Sequence, residues 1–468
     1  MTALNTRTLA TLRPEVAVPA YDRARVTPGI VHFGVGGFHR AHQAMYLDAL
    51  MNTGEAHDWG IVGVGSLPGD VRMRDALGSQ DCLYTLVEKA PDGSLAPRVI
   101  GSIVDYVLAP DDPEAVLVWL VDQRIRIVSL TITEGGYSAD SPTLAVIVEG
   151  LKRRRQAGVA PFAVLSCDNI PGNGAMARRT TAEVARREDP GLADWIESEV
   201  AFPNAMVDRI TPVTTDADRA DLSDRFDVED AWPVVCEPFA QWVIEDHFPL
   251  GRPAWEKVGA QLVDDVEPYE LMKLRLLNCG HQAIAYLGYL SGYRYAHEAV
   301  ADPLFVELLL GYMENEGTPT LPPVPGVDLP AYWRELVERF GNSHIRDTLA
   351  RLCAESSDRI PTWLLPVIQS QLRTGGTVHR SALIVASWAR YAEGVDEKGE
   401  PIEIVDQRAD AVRARAARQQ EDPLAFLRAP DLFADLVDQP RFTEIYLDAL
   451  RSLHEHGAHA TLEAWVRR

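Results

Sequence analysis

The feature that most constrains this chain is a short apolar run that ends in glycine and leads straight into a second glycine pair: Gly29 to Gly34 (GIVHFG), then Val35, Gly36, Gly37, Phe38, His39 and Arg40. A six-residue run bounded by glycine is too short for a buried helix and suits a strand covered on both faces. A helix-like stretch from Arg40 to Met51 follows, and Gly60 to Gly65 (GIVGVG) repeats the strand pattern. Strand, helix and strand in that order open a parallel sheet. The first glycine permits a tight turn, and the second lets a pyrophosphate approach the backbone of the next helix. Gly34, Val35, Gly36, Gly37 and Phe38 are therefore the candidate cofactor-binding residues. The third small position of the pattern holds His39, so these residues also fit a plain strand-to-helix turn.

Asp70 follows the second strand, where an acid can bind adenosine ribose hydroxyls and repel a 2'-phosphate. Its distance from Gly34 exceeds the usual ~20 residues, an excess that an extended first helix would absorb. A solvated loop carboxylate is the competing reading. Two more strands are expected at Ile125 to Thr133 (IRIVSLTIT) and Phe162 to Ser166 (FAVLS). Past residue 265 the character changes to helical periodicity, beginning with Met272 to Tyr289. The expected fold is α/β, with a Rossmann-type dinucleotide-binding domain over residues 1–265 and a mainly helical domain over 266–468.

The charge balance narrows the partners. Lysine and arginine total 45 against 68 acidic residues, a formal charge of -23, which opposes broad attraction to nucleic acid or to anionic membranes. No apolar run reaches the ~18 residues of a membrane span, and the first residues lack the apolar core of a signal peptide. The five cysteines are scattered, without CxxC spacing. Reduced thiols in the cytoplasm are the expectation.

The second half offers one constellation. From Pro268 a helix carries Lys273, Asn278 and His281. At ~100° per residue the three share a sector of about 140° over roughly 12 Å of rise, enough to line one wall of a cleft. A face that is simply wet is the alternative. Tyr269 and Lys273 also have the spacing of the short-chain dehydrogenase pair, but they lie far beyond the glycine turn, at the change of fold class. His39 and His42 are three apart; we read them as helix-cap and turn residues, with metal ligation as the competing reading.

With these residues in hand, the chain resembles the mannitol dehydrogenase family of long-chain polyol dehydrogenases. The likeness rests on GVGGFHRAHQA (34–44), SLTITEGGY (129–137), SCDNIPGNG (166–174), FPNAMVDRITP (202–212), VVCEPFAQWVIED (234–246) and the K-x4-N-x2-H helix. The resemblance implies NAD as cofactor, no metal, a polyol or ketose as the small-molecule substrate, and a monomer. It implies that Lys273 is the general base, that Asn278 and Asn169 hydrogen-bond the reacting oxygen, and that His281 positions substrate and supports the lysine. Asp208, Arg351 and Arg359 are the implied contacts to the other hydroxyls, and Glu270 either relays the proton of Lys273 or only pairs with it. Arg359 departs from the family's usual lysine, and the loop after Tyr137 is short. Sugar-acid reduction of the fructuronate type, oxidation of arabinitol or sorbitol, and a non-catalytic dinucleotide sensor are the alternatives.

Overall fold

The computed structural model describes residues 1–467. The chain divides into two units, Met1–Glu267 and Pro268–Arg468.

The first unit is organised by a five-stranded parallel sheet of β1 (Pro28–Phe33), β2 (Gly60–Gly65), β3 (Ile103–Leu108), β4 (Ile127–Leu130) and β5 (Ala163–Ser166), in the spatial order β3-β2-β1-β4-β5. This is the Rossmann arrangement, which opens a crevice at the carboxyl ends of β1 and β4, where the strand order reverses. Alternating residues explain why the strands read as continuous apolar runs. Ile30, Ile61, Ile127 and Leu165 pack on one face, with α2 (Gln43–Met51). Val31, Phe33, Val62, Val64, Val128, Leu130 and Val164 pack on the other, with α3 (Pro142–Ala157). Strand β3 has Asp105 and Tyr106 in its middle and escapes a search for apolar runs; as an edge strand it buries less.

The expected helix over Arg40 to Met51 is not one helix. It begins earlier, as α1 (Gly37–Ala41), and breaks at His42, whose φ of -126° and ψ of -90° lie outside helical values. The break exposes the last carbonyls of α1, and distant side chains take them. The Tyr84 hydroxyl donates to Arg40 O at 2.6 Å and the Arg209 guanidinium to Ala41 O at 2.7 Å. His42 Nε2 donates to Gln241 O at 2.8 Å. The long first helix expected before Asp70 is thus two pieces, followed by a loop from 52 to 59.

A smaller sheet carries β6 (Ala205–Asp208) antiparallel to β7 (Gln241–Glu245), with Asp208 in register with Gln241. Among the described residues no strand follows Val263. The second unit is helical, and its core surrounds one long helix formed by α4 (Glu267–Met272), a π-helical segment Lys273–Asn278 and α5 (Cys279–Leu290). In α5 every residue but Tyr289 is buried, which suits a helix apolar on all sides and enclosed by its neighbours. No helix of the described residues is long and apolar enough to cross a membrane.

Candidate active site

In the first unit the site is built on the glycine turn. Gly34 has a φ of +91°, and a Cβ there would stand 2.0 Å from the carbonyl oxygen of Thr131. Only glycine fits, because both the left-handed conformation and the approach of β4's end forbid a side chain. Gly36 caps α1 with an ordinary φ of -87°, yet the nearest atom to a Cβ placed on it is Gly34 O, at 3.9 Å. That open space lies against the first N–H groups of α1, which have no partners within the helix. A pyrophosphate fits this cradle. Val35 is buried, whereas Phe38 is half-buried and stacks on His42 at 5.0 Å.

Asp70 stands in a 3-10 turn, Pro68–Asp70, just beyond β2, and is half-exposed. One carboxylate oxygen, Oδ2, accepts the N–H of Leu67 at 2.9 Å. The same turn holds the carboxylate at the carboxyl edge of the sheet, with Oδ1 carrying no protein hydrogen bond among the described residues.

His39 replaces the third small residue of the turn by being fully buried. Its ring stacks on His32 with centroids 3.4 Å apart and planes 12° apart. Burial pushes His32 down to about 3 and His39 well below the usual histidine value, so both rings are neutral near pH 7. They and His42 are packing residues. Among the described residues no group of three or more His, Cys, Asp or Glu side chains is placed to hold a metal ion.

Asn169 is exposed, just past β5, and its neighbour Asp168 is a residue the sequence reading left without a role. The buried Asp168 carboxylate accepts the N–H of Ile132 at 3.1 Å, the N–H of Thr133 at 2.8 Å and the Tyr137 hydroxyl at 2.6 Å. Burial raises its pKa, and the bonds from Tyr137, Ile132 and Thr133 oppose that rise. Thr133 is held at φ 60° and ψ 170°, a conformation that costs a non-glycine residue about 1–3 kcal/mol. Asp168 thereby fixes the loop after β4, and the Thr131 hydroxyl of that loop donates to Gly34 O at 2.6 Å. Glycine turn, strained loop and Asn169 form one connected edge at the switch point of the sheet. The only signal for Asp168 was its place beside Asn169 in SCDN. Asp208 ends β6, buried, and Arg209 beside it holds the end of α1.

The second unit carries the other predicted residues. Lys273, Asn278 and His281 are 8%, 5% and 9% exposed, so the alternative of a wet face fails. The angular reading also changes, because Lys273–Asn278 is π-helical. Hydrogen bonds there run from i to i+5, and the Cys279 N–H reaches back to Leu274 O. At roughly 4.1–4.4 residues per π-helical turn, five residues carry Asn278 only about 50–80° past Lys273, against about 140° in a uniform α-helix. His281, three further on in α5, lies within about 60° of Asn278. The three polar groups form a narrower row than a uniform α-helix allows. The His281 ring also packs on Phe340, with centroids 4.3 Å apart.

Arg351 lies in α6 (Leu349–Cys353), exposed, with Nε and Nη2 on the Asp347 carboxylate at 2.6 and 2.5 Å. Arg359 donates from Nη1 to Arg351 O at 3.2 Å and Leu352 O at 3.1 Å, and stacks over Trp363. The two arginines are neighbours, and each is tied to groups of its own unit.

A Rossmann-type unit with an open glycine cradle, joined to a helical unit with a buried Lys, Asn and His row, is the architecture of a dinucleotide-dependent oxidoreductase. Comparison with known proteins narrows the class. Residues 28–257 match the mannitol dehydrogenase Rossmann domain and residues 265–454 the mannitol dehydrogenase C-terminal domain. The chain belongs to the mannitol dehydrogenase family. A mannitol 2-dehydrogenase of Aspergillus fumigatus is 43% identical over 99% of this chain and 99% of its own. The structure of Pseudomonas fluorescens mannitol 2-dehydrogenase in a ternary complex with NAD and D-mannitol is 45% identical, covers 100% of both chains and superposes with a TM-score of 0.90. A substrate-free D-sorbitol dehydrogenase is 36% identical over 98% of this chain and 100% of its own, with a TM-score of 0.89.

Proposed function

We propose that this chain is an NAD-dependent mannitol 2-dehydrogenase that converts D-mannitol and NAD to D-fructose, NADH and a proton, with Lys273 as general base and no metal. The observation that carries this reading is the buried Lys273, Asn278 and His281 row, in a chain that matches end to end a relative bound to NAD and D-mannitol.

Oxidation of a secondary alcohol needs a base for the hydroxyl proton and donors for the charge that grows on oxygen. Lys273, as the neutral amine, takes the proton. Asn278, on the same face of the helix, and Asn169 donate to the reacting oxygen. His281 orients the substrate beside the lysine, while Asp208, Arg351 and Arg359 meet the remaining hydroxyls. NAD, when bound, accepts the hydride from the carbinol carbon; Gly34 to Phe38 hold its pyrophosphate and Asp70 its ribose. We place the enzyme in the cytoplasm as a monomer, a setting that suits five buried, unbridged cysteines.

A second reading, sorbitol or arabinitol as the preferred polyol, is favoured by the similarity to a D-sorbitol dehydrogenase. Sugar-acid reduction fits less well, since a substrate carboxylate calls for a cation and Arg359 spends Nη1 on two backbone carbonyls. Initial rates of NADH formation on a panel of mannitol, sorbitol and arabinitol, and of NADH consumption on fructose and fructuronate, separate these readings. The proposal expects mannitol and fructose to have the highest kcat/KM. A far higher kcat/KM on fructuronate would refute it.

A further inference from the structure

The π-helical turn under Lys273 needs a cause that its own sequence lacks. Lys273, Leu274, Arg275, Leu276 and Leu277 are all good α-helix formers, with no glycine or proline among them. A π turn carries poorer hydrogen bonds than the α-helix on either side and persists only where its surroundings impose it.

The surroundings here are the end of α7 (Pro303–Tyr312) and the segment after it. Tyr312 is fully buried and donates its hydroxyl to Arg275 O at 3.1 Å, in the middle of the turn. The Arg275 guanidinium reaches forward to Thr320 O. Gly317 closes a second π-helical segment, Met313–Gly317, and presses on the first; a Cβ on it would lie 2.8 Å from Leu276 Cδ2 and 3.2 Å from Arg275 O. The Arg275 carbonyl thus accepts from Tyr312 and lies close to Gly317, while the Arg275 side chain is tied to Thr320.

We propose that Tyr312 is a positioning residue for the reaction: by binding Arg275 O it fixes the π turn and so keeps Lys273 and Asn278 on one face of the helix. This rests on the reading of Lys273 as the base. Without the hydroxyl the carbonyl loses that donor, and the extra residue of the turn is free to migrate along the helix. Once the extra residue leaves this stretch, α-helical geometry sets Asn278 about 140° from Lys273, on the other side of the helix. Tyr312 meets neither substrate nor cofactor, so its effect reaches the reaction only through the placement of these two side chains.

The test uses the full-length enzyme and four single variants. Tyr312→Phe removes one oxygen and keeps the ring. Tyr446→Phe is the control: it removes a buried hydroxyl of the same unit, bonded to Gln419 Oε1 at 3.2 Å, far in sequence from the π turn. Tyr312→Phe should lower kcat for mannitol oxidation by roughly 10- to 100-fold, the effect of misplacing reacting groups by about 1 Å. It should also move the ionisation seen in the pH profile of kcat and leave NAD affinity within about twofold of the wild type. Tyr446→Phe should lower thermal stability alone. If Tyr312→Phe proves unable to fold, Gly317→Ala pushes the same carbonyl from the other side and must show the same loss of kcat. Wild-type kcat and pH profile in a folded Tyr312→Phe, or in Gly317→Ala where that variant stands in, overturn the inference. Lys273→Ala, assayed in parallel, separates the two claims: activity lost there but kept in Tyr312→Phe rejects only the role of Tyr312, whereas activity kept in Lys273→Ala rejects the underlying mechanism.

Discussion

Gly34 and Gly36 belong to one turn, yet the structure assigns them different duties, and alanine at each should fail in a different assay. At Gly34 an alanine must adopt a left-handed conformation, costing about 1–2 kcal/mol, and its Cβ would meet Thr131 O at 2.0 Å. That oxygen belongs to the backbone at the end of β4 and cannot swing aside. A loss above about 2 kcal/mol should lower the melting temperature by roughly 4–8 °C for a unit of this size. At Gly36 φ is -87° and a Cβ has no neighbour nearer than 3.9 Å, so Gly36→Ala should melt within about 1 °C of the wild type. Its methyl group instead occupies the space proposed for the pyrophosphate. The dissociation constant for NAD, measured by titration calorimetry, should rise about 10- to 100-fold, equivalent to about 1.4–2.8 kcal/mol. If Gly36→Ala binds NAD as tightly as the wild type, the cofactor does not approach this turn. If it melts as low as Gly34→Ala, the space beside Gly36 is structural and the reasoning fails.

Three other outcomes are expected. Asp70→Asn keeps an acceptor for the Leu67 N–H and removes the charge, so the preference for NAD over NADP should narrow in kcat/KM; equal use of both cofactors by the wild type would remove Asp70 from the ribose site. His32 and His39 are neutral in the fold, with pKa values pushed down by burial, to about 3 for His32, while an unfolded histidine titrates near ~6.5. The unfolded chain therefore binds more protons below that pH; the stabilisation is complete above about 6.5 and falls, by up to about 1.4 kcal/mol per pH unit for His32 as pH drops from there toward 3, with His39 adding in the same direction. Denaturant unfolding of His32→Asn against the wild type at pH 7 and pH 5 should show a weaker acid dependence in the variant. Prolonged chelation should leave mannitol oxidation unchanged, and activity lost on chelation and restored by zinc would contradict a lysine base acting without metal.

The parts of the fold that were legible in the sequence are those set by local pattern. Strands β1, β2, β4 and β5 announced themselves because both faces of the sheet are covered, and Gly34 because its left-handed turn admits nothing else. The break at His42 was hidden: Arg40 to Met51 is locally helical, and what ends α1 are Tyr84, Arg209 and Gln241, between 40 and 200 residues away. The π turn was hidden for the same reason, its partners being Tyr312, Gly317 and Thr320 rather than any helix breaker of its own. A helical wheel at a uniform 100° per residue consequently placed Lys273 and Asn278 too far apart. Asp168 was invisible as an organiser because its three donors come from residues 132, 133 and 137, and only the folded loop after β4 brings them to one carboxylate.

The most direct test of the account is the pH dependence of mannitol oxidation by the wild type and by Lys273→Ala. Lys273 must lose its proton to act, so kcat for the wild type should rise with pH through one ionisation and then level off. Lys273→Ala should abolish that ionisation and lower kcat by several orders of magnitude, with NAD affinity little changed, and an added primary amine should restore part of the rate. A variant that keeps most of its kcat and the wild-type pH profile while its KM for mannitol rises would show that Lys273 only anchors the substrate, and the mechanism would fall.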